Sequence, residues 1–233
     1  PVVMIVTAIV AFIVGYLIVH TSGIYFLMIT LAFAQMLYSI VIGWSEVTGG
    51  ANGLTGITRP ILGYGSFSYQ FNSYTSFYYL AFGIFLVSWA LLASIVKSPF
   101  GWVLRGIREN EQRTRSLGYN THMYKTIAFT LSGMFASVAG LLMAYYNWYA
   151  NPQDLYWTMS GEVLVMLIIG GYGTLIGPVL GAIILETIPY WLSDYTEYTL
   201  IFMGLIFCLF VLFAPKGIMG ILRSDQEEPS PDE

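Results

Sequence analysis

Polar side chains set inside long apolar runs are where this sequence concentrates its chemistry. Thr30, Gln35, Tyr38 and Ser39 interrupt the run 24–43, with Gln35 and Ser39 spaced i, i+4 and Tyr38 adjacent. At membrane depth such groups face a bundle interior or an aqueous cavity, so lining a pathway and hydrogen bonding between helices fit equally well. Glu162 and Glu186 lie in or near other apolar runs, close enough to an interface to reach water. The segment Gly170-Gly171-Tyr172-Gly173-Thr174-Leu175-Ile176-Gly177-Pro178 reads two ways. A broken helix would present half-helix N-termini to an anionic guest; a tight turn would join two short helices, and the lack of spare length on either side favours the turn. The glycine-rich stretch Thr48-Gly49-Gly50-Ala51-Asn52-Gly53 cannot face lipid, where its amides and carbonyls would lack partners. Candidate pathway residues are therefore Thr30, Gln35, Tyr38, Thr48, Gly49, Gly50, Asn52, Gly53, Glu162, Gly170, Gly171 and Gly173.

Several chemistries are excluded. The glycine-rich break lacks the Gly-Lys-Ser/Thr ending of a phosphate loop and the dinucleotide fingerprint. Cys208 is the single cysteine, so neither an internal disulfide nor a cysteine metal site is available. His20 and His122 stand about a hundred residues apart and read as two unconnected interfacial residues. With no Ser/His/Asp set, no paired carboxylates and no basic run interleaved with aromatics, neither an enzyme nor a nucleic-acid binder is expected.

The elements that must position these residues follow from composition. Hydrophobic residues make up 57% of the 233 positions and charged ones only 9%, against about 25% charged in soluble domains. Too few charges remain to cover a water-exposed surface. Apolar stretches occupy 1–19, 24–43, 77–96, 127–149, 156–192 and 198–214. About 20 helical residues span the hydrocarbon core, so the 37-residue stretch 156–192 must fold at Gly170–Pro178, bringing Tyr156-Trp157 and Tyr190-Trp191 to one interface. The expectation is an all-α polytopic transmembrane bundle of about seven spans, a membrane domain over 1–224 and an acidic disordered tail at 225–233. Five of the thirteen acids lie in that tail, so nine basic residues face eight acidic ones elsewhere. The chain opens inside an apolar stretch without a leader-like segment, and an N-terminally truncated polypeptide missing earlier spans is expected.

Lys97, Arg105, Arg108, Arg113, Arg115 and Lys125 fall in one segment, 97–126, and Lys216 and Arg223 follow the last span. Seven crossings put these eight on one side and leave Arg59 opposite, which assigns 97–126 and the C-terminus to the cytoplasm. Ser98-Pro99-Phe100-Gly101 ends the third span, and Trp102–Leu117 alternates apolar and charged positions as two short surface helices would, with stops at Gly118 and Asn120. An interfacial amphipathic segment and a docking surface for a cytoplasmic partner both fit. Two small-residue stripes, Ser132/Ala136/Gly140/Ala144 and Gly173/Gly177/Gly181, suit close helix packing.

Four segments together resemble the permease subunits of bacterial branched-chain amino-acid ABC transporters. They are Gly23–Gln35; Thr48–Leu54; Ser98–Gly101 running through Arg108-Glu109-Asn110-Glu111 to Leu117-Gly118-Tyr119-Asn120; and Ser160-Gly161-Glu162 followed by Gly170–Gly181. The resemblance implies a type II-importer-like, multi-pass protein of the bacterial plasma (inner) membrane, one of two homologous permeases in a heterodimer. Two cytoplasmic ATPases would bind ATP and magnesium, leaving no cofactor and no catalysis to this chain. An extracytoplasmic solute-binding protein would deliver branched-chain amino acids. Arg105, Arg108, Glu109, Asn110, Glu111, Arg113 and Gly118 would form the ATPase-coupling segment, although Gln112 and Arg113 stand where the motif often has small residues. Related subunits handle urea and short amides, and an ion-coupled secondary transporter is the reading from another class.

Overall fold

The architecture comes from a computed structural model, which describes residues 1–21, 23–57, 61–62, 69–70, 73–171 and 173–194, with isolated positions between 201 and 219. The final apolar run 198–214, the tail from 225, Arg59 and Cys208 lie wholly or mostly outside the described residues. Helices dominate: α1 (Val2–Ile18), α2 (Ile24–Gly43), a single turn α3 (Ser45–Thr48), α4 (Tyr74–Lys97), α5 (Pro99–Glu109), α6 (Glu111–Ser116), α7 (Thr121–Asn147), α8 (Trp157–Gly170) and α9 (Gly177–Ser193). Two small antiparallel ladders pair β1 (Leu54–Thr55) with β4 (Tyr149–Ala150), and β2 (Ile61–Leu62) with β3 (Tyr69–Gln70). The chain divides into two compact units, Pro1–Tyr156 and Trp157–Glu233.

Among the described residues, α2, α4 and α7 are long and apolar enough to cross a membrane. At 20, 24 and 27 residues they reach about 30, 36 and 40 Å. The apolar helices α1, α8 and α9 are shorter. Little of this apolar surface is turned inward: α2 has no buried residue, and Ile24 and Tyr25 are each 73% exposed. A soluble protein could not leave so many contiguous apolar side chains in water; lipid and neighbouring membrane helices are the surroundings that suit them. The chain is an integral, helical membrane protein.

In the first unit α1 lies antiparallel along α7. A Cβ added to Gly133 would sit 2.9 Å from the Ala11 methyl, and one added to Gly15 would sit 2.8 Å from the Phe129 ring. This close approach takes the place of the hydrophobic force that is missing between helices in lipid. The small residue at the contact is Gly133, not the Ser132/Gly140 stripe expected from spacing, and the Gly140 Cα faces open space. The second stripe is two-thirds right. In the second unit α8 and α9 form a hairpin in which Gly177 and Gly181 press on the backbone of Gly170, Gly171 and Met166. Gly173 sits instead in the turn at φ +100. Pro178 occupies the first turn of α9, where its missing N–H leaves no bond unmade. The hairpin brings Trp157 to the same end as Tyr190 and Trp191.

The fourth apolar stretch begins six residues earlier than its composition suggests, at Thr121. Asn120 starts this helix and does not stop the previous one: its Oδ1 accepts from Met123 N at 3.2 Å, satisfying a first-turn donor.

These contacts make two glycines unequal. Gly181→Ala should destabilise the protein by about 1–3 kcal/mol through overpacking against α8, whereas Gly140→Ala should be neutral or stabilise by up to about 1 kcal/mol. Thermal unfolding in detergent ranks the two; equal melting temperatures would contradict the α8–α9 packing.

Candidate functional site

The charged segment folds as two short helices hung between two membrane-length ones. Pro99 opens α5 at N1, and the Ser98 hydroxyl donates to Ile95 O at 2.6 Å, closing the end of α4. Gly101 is buried in this elbow, where a Cβ would meet the Val96 and Ile95 carbonyls. Any larger residue would open the angle between α4 and α5. At the next corner Asn110 has extended backbone, and its Oδ1 accepts from Arg113 N at 2.9 Å. It is the N-cap that begins α6. The two helices then meet where Gly106 faces the buried Thr114, whose hydroxyl donates to Asn110 O at 3.1 Å.

Lys125 on α7 pairs with Glu111 on α6, Nζ to Oε2 at 2.5 Å. The Lys125 hydrogen bond holds the Glu111 carboxyl below its usual range, with the Thr121 hydroxyl and the Arg115 charge adding to the effect against a modest desolvation. The pair therefore fastens the second surface helix to the start of α7. Elsewhere the guanidinium of Arg105 lies 4.8 Å from the Trp102 ring centroid, which spends that cation on its own helix. Glu109, Arg113 and Arg115 are exposed. Gly118 adopts φ +89 with open space around its Cα; the chain reverses there between α6 and α7. Of the proposed coupling residues, Asn110, Glu111 and Gly118 thus shape the segment, while Glu109 and Arg113 present charge outward.

At the far end of α2 the glycine-rich stretch is a folded turn, packed against protein. Thr48 donates its hydroxyl to Val41 O and Trp44 O, and Gly50 N donates to Thr48 Oγ1. Gly49, Gly50 and Gly53 all have positive φ; Gly53 lies against Pro152 and the Tyr149 hydroxyl, each 2.8 Å from where a Cβ would be. Leu54 and Thr55 then pair with Ala150 and Tyr149. Trp148, in left-handed conformation at φ 58, caps α7, and its carbonyl accepts from Ile57 N.

The pathway candidates divide between the two units. In the first, Thr30 donates its hydroxyl to Phe26 O and Leu27 O of its own helix. Gln35 keeps a buried Oε1 without a hydrogen-bond partner among the described residues, and Tyr38 meets the Tyr156 ring at 5.2 Å. Glu162, Gly170, Gly171 and Gly173 belong to the second unit. Glu162 is exposed there, while Gly170 and Gly171 are packed in the α8–α9 corner, the turn rather than a presented helix end. Gly177 N donates to Thr174 Oγ1 across that turn.

Sequence reasoning misses a second cluster. His20 and His122 are in ring contact, with centroids 4.1 Å apart, beside Tyr16. They are not the unconnected residues that their spacing suggests: the antiparallel pairing of α1 with α7 brings the end of one to the beginning of the other. No local signal links positions 102 residues apart. Among the described residues no group of three His, Cys, Asp or Glu side chains is placed to hold a metal.

A family model described as branched-chain amino acid transport system, permease component, matches residues 1–212. The chain belongs to this family. Permeases named high-affinity branched-chain amino acid transport system permease protein LivM, from Escherichia coli strain K12 and Salmonella typhimurium strain LT2, are each 27% identical over 96% of this chain and 57% of their own length. The autoinducer 2 import system permease protein LsrC of Salmonella paratyphi B is 30% identical over 54% of this chain and 41% of its own. The chain thus spans little more than half the length of the LivM relatives. No solved structure matches it.

The Glu111–Lys125 ion pair is a partly exposed one, worth about 0–1 kcal/mol. Glu111→Gln should lower stability by that amount at pH 7. Because the folded carboxyl titrates below the unfolded one, the contribution is complete above about pH 4.3 and disappears as pH falls through the depressed folded value. Melting curves of both proteins should therefore converge in acid; a gap that widens there would contradict the pairing.

Proposed function

We propose that this chain forms part of the membrane pathway of an ATP-driven importer in the bacterial plasma membrane, carrying branched-chain amino acids inward by alternating access. The observation that carries the proposal is the family match over 1–212. It is supported by the α5–α6 pair, a charged element braced against α4 by Gly101 and against α7 by Glu111–Lys125. In this reading two cytoplasmic ATPase subunits press on α5 and α6, a homologous permease completes the pathway, and an extracytoplasmic binding protein delivers the solute. ATP and magnesium belong to the ATPases, so this chain performs positioning and motion without catalysis. Movement of α5–α6 as one body tilts α4 and α7 and changes which side of the pathway is open. The charge distribution favours α5, α6 and the C-terminus on the cytoplasmic side.

A second reading concerns the solute alone. LsrC is named as an autoinducer 2 permease, so cargo other than an amino acid is compatible with this helix framework. Uptake of labelled leucine, isoleucine, valine, urea and autoinducer 2 by the reconstituted complex, with and without ATP, distinguishes these readings. Leucine-type uptake that requires ATP is expected; uptake driven by an ion gradient alone would overturn the proposal.

Two further outcomes follow. In a Cys208→Ser background, Arg108→Cys should resist a membrane-impermeant maleimide in intact cells and react after permeabilisation; labelling in intact cells would place α5 on the wrong side. Gly118→Ala puts a Cβ on left-handed backbone, at about 1–2 kcal/mol of strain. Solute moved per ATP hydrolysed should drop about fivefold or more, the range of ordinary coupling energies, while ATP hydrolysis persists. Unchanged coupling would remove Gly118 from the transmission.

A further inference from the structure

A cleft of about 380 Å³ opens where α1 ends, α6 lies alongside and α7 begins. Its walls are polar. From the end of α1 come His20 and Thr21, from α6 Glu111 and Arg115, and from α7 Thr121, His122 and Lys125. Tyr119 and Asn120, in the connection before α7, line it as well, with Val19 as its apolar member, and the Tyr16 ring stands 4.7 Å from that of His122. We propose that this cleft binds a tetrahedral oxyanion, a phosphate or sulfate group, and binds it more tightly when His20 and His122 are protonated.

The charge balance is the first reason. Arg115 and Lys125 face one carboxylate, Glu111, which Lys125 already engages. One positive charge is left over with neutral imidazoles and three with both protonated. The second reason is the histidine contact. Ring centroids 4.1 Å apart cannot both carry a proton without repulsion, unless an anion stands between or beside them. His122 Nε2 lies 3.1 Å from Tyr16 O, and a carbonyl only accepts, so Nε2 carries the hydrogen. Protonation then adds an N–H donor at Nδ1. The start of α7 acts in the same sense. The cleft adjoins the N-terminus of α7, where an anion is favoured. A metal ion would meet Lys125 and Arg115 instead, and the cation excess opposes it.

Oxyanion chemistry has two sources here, a soluble anion or the phosphodiester of an anionic lipid. The site sits at the root of α7 next to the Glu111–Lys125 brace, so occupancy would stiffen the junction of α1, α6 and α7.

The test uses the purified full chain and thermal unfolding. Sulfate is the soluble probe, because its charge is constant between pH 5.5 and 8, and chloride at equal ionic strength controls for screening. Nanodiscs of phosphatidylglycerol against phosphatidylcholine form the lipid arm. Ligand that binds only the folded state raises the melting temperature. The expected result is stabilisation by sulfate or by phosphatidylglycerol, with an apparent affinity about five- to tenfold higher at pH 5.5 than at pH 8, spanning the histidine range. Stabilisation by sulfate identifies a soluble-anion site; stabilisation by phosphatidylglycerol alone identifies a lipid site. Arg115→Gln should abolish the shift in whichever arm shows it, and His20→Gln should reduce its pH dependence to the part that His122 supplies, both melting like the parent without ligand. No shift in either arm, or the same shift in Arg115→Gln, overturns the proposal.

Discussion

Between helices in hydrocarbon there is no water to expel, so nothing presses them together except fit. Several of the tightest helix contacts among the described residues rest on positions without a side chain. Gly15 and Gly133 let α1 and α7 meet, Gly101 folds α5 back on α4, and Gly177 and Gly181 close α8 on α9. By contrast, α2 buries none of its 20 residues within the first unit. The apolar faces left over are those a lipid or a second membrane subunit covers.

At the helix ends the placement of polar groups is economical. Asn110, Asn120 and Asn151 each accept a backbone N–H two or three residues on, so each of these corners of the first unit satisfies its own donors. The ion pair Glu111–Lys125 adds direction to this arrangement. It links a surface helix to a membrane-length one across 14 positions of sequence. A partly exposed pair contributes little stability, but it fixes which face of α6 meets the start of α7.

Much of this architecture is legible in the amino-acid sequence. The Gly170–Pro178 corner can be read because glycine and proline act locally: the stretch is too long for one span and its breakers sit at the centre. The two surface helices can be read from the swing between Trp102, Val103, Leu104, Ile107 and the arginines. Asn110 and Asn120 are harder, since an asparagine serves a helix start as readily as a stop, and only the partner N–H distinguishes them. The stripe on α7 is misplaced by one position because sequence spacing defines a row of small residues without saying which row faces a neighbour. His20 with His122, and Glu111 with Lys125, depend on tertiary pairing that no local pattern encodes.

Trp148 gives α7 a second anchorage. Its left-handed turn ends a helix of about 40 Å, and its carbonyl takes the Ile57 amide, so the glycine turn after α2 is tied to one tip of α7 while the Glu111 carboxylate holds the other. A helix fastened at both tips cannot slip along its own axis without breaking one of the two attachments, so the register of α7 against the glycine turn and against α6 is set at its ends.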